Sequence, residues 1–172
     1  KTHKLELKDY QDLWNWSINN QDEFWESIFN YYKIDYSGEY KNVNTAPKDI
    51  HEIRWFEGVE ISYAEHIFRN LSNENPAIVF KSEHHEFQKI TWESLLSQTG
   101  KIANYLKSCG VQKGDRVCSM LPNSPEAIVA FLATNSLGAI WTSCSPDFGI
   151  KSILDRFSQI EPKVFISTNA YQ

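Results

Sequence analysis

A chain of 172 residues suits one domain of ordinary size, or one domain with an appended segment. Its 41% hydrophobic and 14% aromatic content is enough for a real core and argues against disorder, and 17 basic against 22 acidic residues, a net charge of −5, argue against nucleic acid as a partner, because a phosphate backbone requires clustered positive charge. No apolar run approaches the roughly 18 residues of a membrane span, and the mixed, charged stretch Lys1 to Tyr10 shows no signal peptide, so neither nucleic acid nor membrane is expected as a partner.

Two zones differ in character. Residues 1–75 are rich in Trp, Tyr, Asn and Asp and carry helical patterning without strong strands. Trp25, Ile28, Phe29 and Tyr32 recur at helical spacing behind the polar stretch Asn19-Asn20-Gln21-Asp22, which can cap a helix start. A loop from Tyr36 to Lys48, holding Gly38 and Pro47, follows. Ser62 and Glu65 then form a capping box ahead of Ile67, Phe68 and Leu71, which predicts a short helix.

From Asn75-Pro76 the pattern changes. Residues 77–81 and 87–91 read as two strands around the polar turn Ser82 to Glu86, an antiparallel hairpin. Thr91 can cap a helix whose apolar stripe is Leu95, Thr99, Ile102 and Leu106, ended by Gly110 at the left-handed position. Arg116 to Leu121 is the next strand. Ser124-Pro125-Glu126 opens a helix with a capping hydroxyl, a proline in the first turn and an acid near the positive end. Ala127 to Ala133 is apolar without a break, which predicts burial on most sides, and Gly138 closes that helix. A strand at 139–143, a helix carrying Ile150, Ile153, Leu154, Phe157 and Ile160, and a strand at 163–167 complete the pattern. Strands alternating with helices over short loops predict an α/β fold: a helical N-terminal region (1–75), then the first part of a mostly parallel, doubly wound sheet (76–172), with parallel pairing among the strands near 117, 140 and 165.

In such a sheet ligands gather outside the carboxyl ends of the strands. Three polar loops qualify: Pro122-Asn123-Ser124, Cys144-Ser145-Pro146-Asp147-Phe148 and Ser167-Thr168-Asn169. Ser124 reads first as a helix N-cap, and Ser145 and Asp147 are as readily N-caps as site residues. No Walker-type phosphate loop, no GxGxxG and no GxSxG is present. Glu83-His84-His85-Glu86 reads as a solvated turn rather than a metal cluster, and no His follows Cys144 to activate it. No metal ligand or catalytic residue is therefore singled out. Trp14, Trp16, Trp25 and Trp55 read as core and interdomain packing. Cys109, Cys118 and Cys144, an odd count without metal-like spacing, fit a reducing, cytoplasmic setting, and the absence of an initial Met suggests that the true N-terminus is missing.

The run Gly110-Val111-Gln112-Lys113-Gly114-Asp115-Arg116-Val117, then Leu121-Pro122-Asn123 with Glu126, then Gly138-Ala139, resembles the AMP-forming acyl-CoA synthetases in order and spacing. Phe24-Trp25, Trp55-Phe56-Glu57-Gly58 and Tyr63-Ala64-Glu65 resemble the N-terminal region of the short-chain members. Ile140 to Gly149, Asp155-Arg156-Phe157 and Gln159 to Val164 resemble the acetoacetyl-CoA synthetases within that family. The resemblance implies a ligase that joins a small carboxylate, here acetoacetate, to CoA at the expense of ATP with Mg²⁺, through an acyl-adenylate. It also implies that the phosphate loop and catalytic lysine lie beyond the matched part, so that this chain is an inactive N-terminal fragment whose partner is the remainder of the synthetase. Acetate or propionate as the acid, or a non-catalytic nucleotide- or CoA-binding module, remain the alternatives. The resemblance further places Ser145, Pro146, Asp147 and Phe148 beside the CoA nucleotide, with Phe148 able to pack against adenine, although the acetate enzymes carry a phenylalanine–glycine–glycine loop there. A fragment with an uncovered strand near 165 is also expected to self-associate.

Overall fold

The computed structural model describes residues 5–45 and 49–169, so Pro47 and Lys48 of the expected loop lie outside the described residues. The chain divides into two compact units, residues 1–61 and 62–172.

In the first unit, helices α1 (Tyr10–Asn19) and α2 (Gln21–Tyr31) follow one another directly. The Asp9 carboxylate caps α1 by accepting from the Asp12 amide at 2.9 Å, a start not anticipated from the sequence. Neither helix has a buried residue, and Val43 is the buried apolar side chain of this unit among the described residues. Aromatic contacts take over the role of a core: Phe29 stacks on Phe56 at 4.5 Å, Tyr40 meets Phe56 edge-on at 5.1 Å, and Trp25 meets Trp55 at 5.8 Å. Of the tryptophans expected in core and interdomain packing, Trp14, Trp25 and Trp55 keep 40–46% of their surface exposed and are not core, while Trp16 is half-buried. A pair of two-residue strands, β1 (Ser37–Gly38) and β2 (Val59–Glu60), pairs antiparallel in a zone that showed no strand pattern.

The second unit opens with α3 (Tyr63–Phe68), where the Ser62 hydroxyl accepts from the Glu65 amide as the capping box predicts. Because α3 packs on α5, it groups with the α/β unit, and the structural division falls earlier than residue 75. Strands β3 (Ile78–Phe80) and β4 (Gln88–Ile90) form the expected antiparallel hairpin. Thr91 caps α4 (Trp92–Ser108), accepting from the Ser94 amide at 3.1 Å, and Gly110 follows at φ +81°. Then come β5 (Arg116–Met120), α5 (Pro125–Ser136), β6 (Ile140–Cys144), α6 (Ile150–Ser158) and β7 (Val164–Ser167). Ser124 stands at the N-cap of α5, but its side chain makes no capping bond; the Ala127 amide donates to the Ser124 carbonyl instead, at 3.1 Å.

The three strands pair in parallel in the order β6-β5-β7. Alternation along β5 sends Val117 to a cluster with Leu106, Val111, Ala133 and Ala139, and Cys118 to one with Cys144 and Phe157. Helices α4 and α5 thus cover one face and α6 the other, the doubly wound arrangement. Along α5, Val129, Ala130, Leu132, Ala133 and Thr134 are buried while Ile128 remains 39% exposed. Of the expected α6 stripe Phe157 is buried, whereas Ile150 and Leu154 face solvent.

A polar clamp ties β5 to β7 at their starts. The Lys163 ammonium donates to the Gly110 carbonyl at 2.6 Å and to the Asp115 carboxylate at 2.9 Å, and the Arg116 guanidinium donates to the carbonyls of Ile160 and Glu161. The bond from Lys163, followed by that from the Gln112 amide, holds the Asp115 carboxyl below the usual carboxylate range. A lowered folded-state value contributes stability above the unfolded value and loses it as pH falls through the folded one. The melting temperature of the wild type should therefore exceed that of Asp115→Asn at pH 6, and the gap should close below about pH 4, the region of an ordinary aspartate. A gap independent of pH would assign the effect to geometry instead of charge.

Candidate functional site

The strand order determines which loops meet. Strands β5 and β7 are hydrogen-bonded neighbours running in parallel, so the loops after β5 and β7 leave the sheet side by side at its carboxyl end. A cleft of about 950 Å³ lies there. Leu121 to Ser124 and Ser167-Thr168 form one side of it, the hairpin turn Ser82 to His85 another, and Gln98, Lys101 and Ile102 of α4 a third. Two of the three sequence-derived loops are therefore brought together, joined by a turn that reads in sequence as merely solvated. Within that turn the Ser82 hydroxyl and His85 Nδ1 lie 3.0 Å apart, and the His85 ring tilts against Phe80 at 5.9 Å. Among the described residues no group of three or more His, Cys, Asp or Glu side chains is arranged to hold a metal.

The third loop sits apart from the cleft, after the edge strand β6. Ser145 to Phe148 form a tight turn: the Phe148 amide donates to the Ser145 carbonyl at 3.1 Å, the Ser145 hydroxyl donates to the Asp147 carboxylate at 2.8 Å, and the Asp147 amide reaches the Ser145 hydroxyl at 3.3 Å. Ser145 and Asp147 are exposed and Pro146 is half-buried. Phe148 is 39% exposed and stays outside the Cys118–Cys144–Phe157 cluster that Ile153 packs against. Its ring is covered instead by the Arg156 guanidinium, 4.8 Å from the ring centroid. Sequence reasoning missed that partner because nothing local to Arg156 signals it. Cys144 is buried, and burial pushes the neighbouring Cys118 thiol up, the reverse of what an activated thiol requires.

Comparison with known proteins agrees with this architecture. The family described as acetyl-coenzyme A synthetase N-terminus matches residues 10–67, and that of AMP-binding enzymes matches 67–172. Acetoacetyl-CoA synthetase of Mus musculus is 42% identical over 96% of this chain and 25% of its own length, and that of Rhizobium meliloti is 37% identical over 95% and 25%. The solved structure of acetoacetyl-CoA synthetase from Streptomyces lividans superposes with a TM-score of 0.87 at 38% identity, over 96% of this chain and 26% of that one. The chain thus spans about a quarter of the length of the relatives it matches. With the matched region covering most of the α/β unit and all of its parallel sheet, the chain belongs to the AMP-binding enzyme family.

Proposed function

We propose that the chain is the N-terminal part of an AMP-forming acid–CoA ligase that makes acetoacetyl-CoA from acetoacetate, ATP and CoA. A carboxylate oxygen attacks the α-phosphorus and pyrophosphate leaves; the CoA sulfur then attacks the acyl carbon and AMP leaves. The observation that carries this reading is near-complete coverage of the chain, at 38–42% identity, by the mouse and Streptomyces proteins of that name. The magnesium ion that accompanies ATP is assigned no ligand on this chain. CoA is assigned to the turn Ser145, Pro146, Asp147 and Phe148, where a half-exposed ring beside a strand end offers a surface for adenine. A cytoplasmic setting is supported by the free cysteines. Phe165, Leu154 and Ile150, each at least half exposed around the edge strand β7 and α6, support contact with the remainder of the synthetase, or self-association of the chain alone.

The test is an assay of AMP release by the complete protein with acetoacetate, acetate and propionate in turn. Acetoacetate should give a kcat/KM at least about tenfold above the others, a discrimination within reach of a few kcal/mol of differential contact. The 172-residue chain alone should release no AMP above buffer. A preference for acetate would retain the family and replace the acid. Full activity of the short chain would overturn the fragment reading, and no activity of the complete protein with any acid would favour a non-catalytic binding module.

A further inference from the structure

The Arg156 side chain takes no part in the clamp between β5 and β7. Lys163 and Arg116 are consumed by the clamp between β5 and β7, whereas Arg156 meets no carboxylate among the described residues. Its described interaction is with the face of Phe148. The two residues flank α6: Phe148 directly precedes the N-cap Gly149, and Arg156 occupies the last turn. A helical side chain points back toward the N-terminus of its helix, so Arg156 is directed toward the turn rather than toward the next loop. Asp147, the acid of the turn, accepts from the Ser145 hydroxyl.

This arrangement does two things to the ring. A tight turn locked by three hydrogen bonds fixes the Phe148 backbone but leaves its χ angles free, and the guanidinium plate occupies one face of the ring and limits rotation. The remaining surface, still 39% exposed, is then presented in one orientation. A pre-oriented aromatic face loses less freedom when a planar ligand stacks on it. The guanidinium also leaves a positive charge beside the ring.

We infer that Arg156 is a positioning residue for the CoA nucleotide, acting through Phe148 by holding its ring in the stacking orientation. The inference rests on the assignment of the Ser145–Phe148 turn to CoA. It is tested in the complete protein by measuring the KM for CoA in the overall reaction, with ATP–pyrophosphate exchange as the readout of adenylate formation. Phe148→Ala should raise the KM for CoA about tenfold, the size expected for one stacked base, and leave exchange unchanged. Arg156→Gln should raise it about three- to tenfold, and Arg156→Lys, which keeps a cation over the ring, should recover most of the loss. The double variant Phe148→Ala/Arg156→Gln should be no worse than Phe148→Ala, because one effect is routed through the other.

The failures are distinguishable. If Phe148→Ala leaves the KM for CoA unchanged, the assignment of the turn to CoA is wrong and the inference falls with it. If Phe148→Ala raises the KM while Arg156→Gln does not, or if the two effects multiply in the double variant, CoA remains on the turn and the positioning role of Arg156 is overturned. Equal loss of exchange and of CoA turnover in Arg156→Gln, unrepaired by lysine, would mark it as a packing residue only.

Discussion

Leu106→Ala is expected to destabilise the α/β unit by about 3–4 kcal/mol, within the range for emptying a fully buried leucine site. Leu106 has no exposed surface and lies where α4 ends, packed with Val111, Val117, Ala133 and Ala139. Its side chain therefore joins α4, α5 and β5 at one point. Collapse around the cavity is limited, because the alanines opposite have no side chain to move in and the strand is held on both edges by β6 and β7. Leu96 on the same helix, 44% exposed, is the control, and its truncation should cost less than half as much, in keeping with its partial burial. Urea unfolding of the two variants, followed by far-ultraviolet circular dichroism, measures the difference. Equal costs would mean that the cluster around Leu106 is not the core of the unit.

Gly38→Ala should be the most damaging small substitution in the N-terminal unit. Gly38 sits at φ +86°, where an L-residue loses about 1–2 kcal/mol from the backbone alone. A Cβ there would also overlap the carbonyl oxygen of Gly58, a backbone atom that cannot rotate away. The β1–β2 pairing has two residue pairs, so separating the strands to relieve the overlap removes the whole ladder. A loss of at least about 2 kcal/mol follows from the strain and the broken pairing together. Gly149→Ala is the contrast, since Gly149 has φ −63° and nothing within 4 Å of an added Cβ. Fluorescence-detected unfolding reports the Gly38 variant through the Trp25–Trp55 contact and the Gly149 variant through the tryptophans of its own unit, and a Gly38→Ala midpoint equal to that of the wild type would refute the account of Gly38.

Much of this fold is local and was therefore legible in sequence. The caps at Ser62 and Thr91 act within three residues, and both accept the bond their spacing predicts. Gly110 and Gly138 end helices at positive φ, where only glycine is unstrained. The α4 stripe buries Leu95, Thr99 and Leu106 because a 3.6-residue period puts them on one face. Alternation of strand and helix over short connections was enough for parallel pairing of β5, β6 and β7, since a hairpin between them would have required direct turns.

What the sequence by itself determined, then, was element type, helix ends and the parallel α/β class, all written in contacts a few residues apart. Only the tertiary structure decided the order β6-β5-β7, and with it the joining of Leu121–Ser124 to Ser167-Thr168 at one cleft while Ser145–Phe148 stands apart. It also decided that Trp14, Trp25 and Trp55 stay partly exposed, that two glycines twenty residues apart in sequence approach backbone to backbone, and that Arg156 covers Phe148. The physical reason is common to these: burial and long-range approach depend on which surfaces are left to cover a residue, and a side chain's own neighbours in sequence carry no record of that.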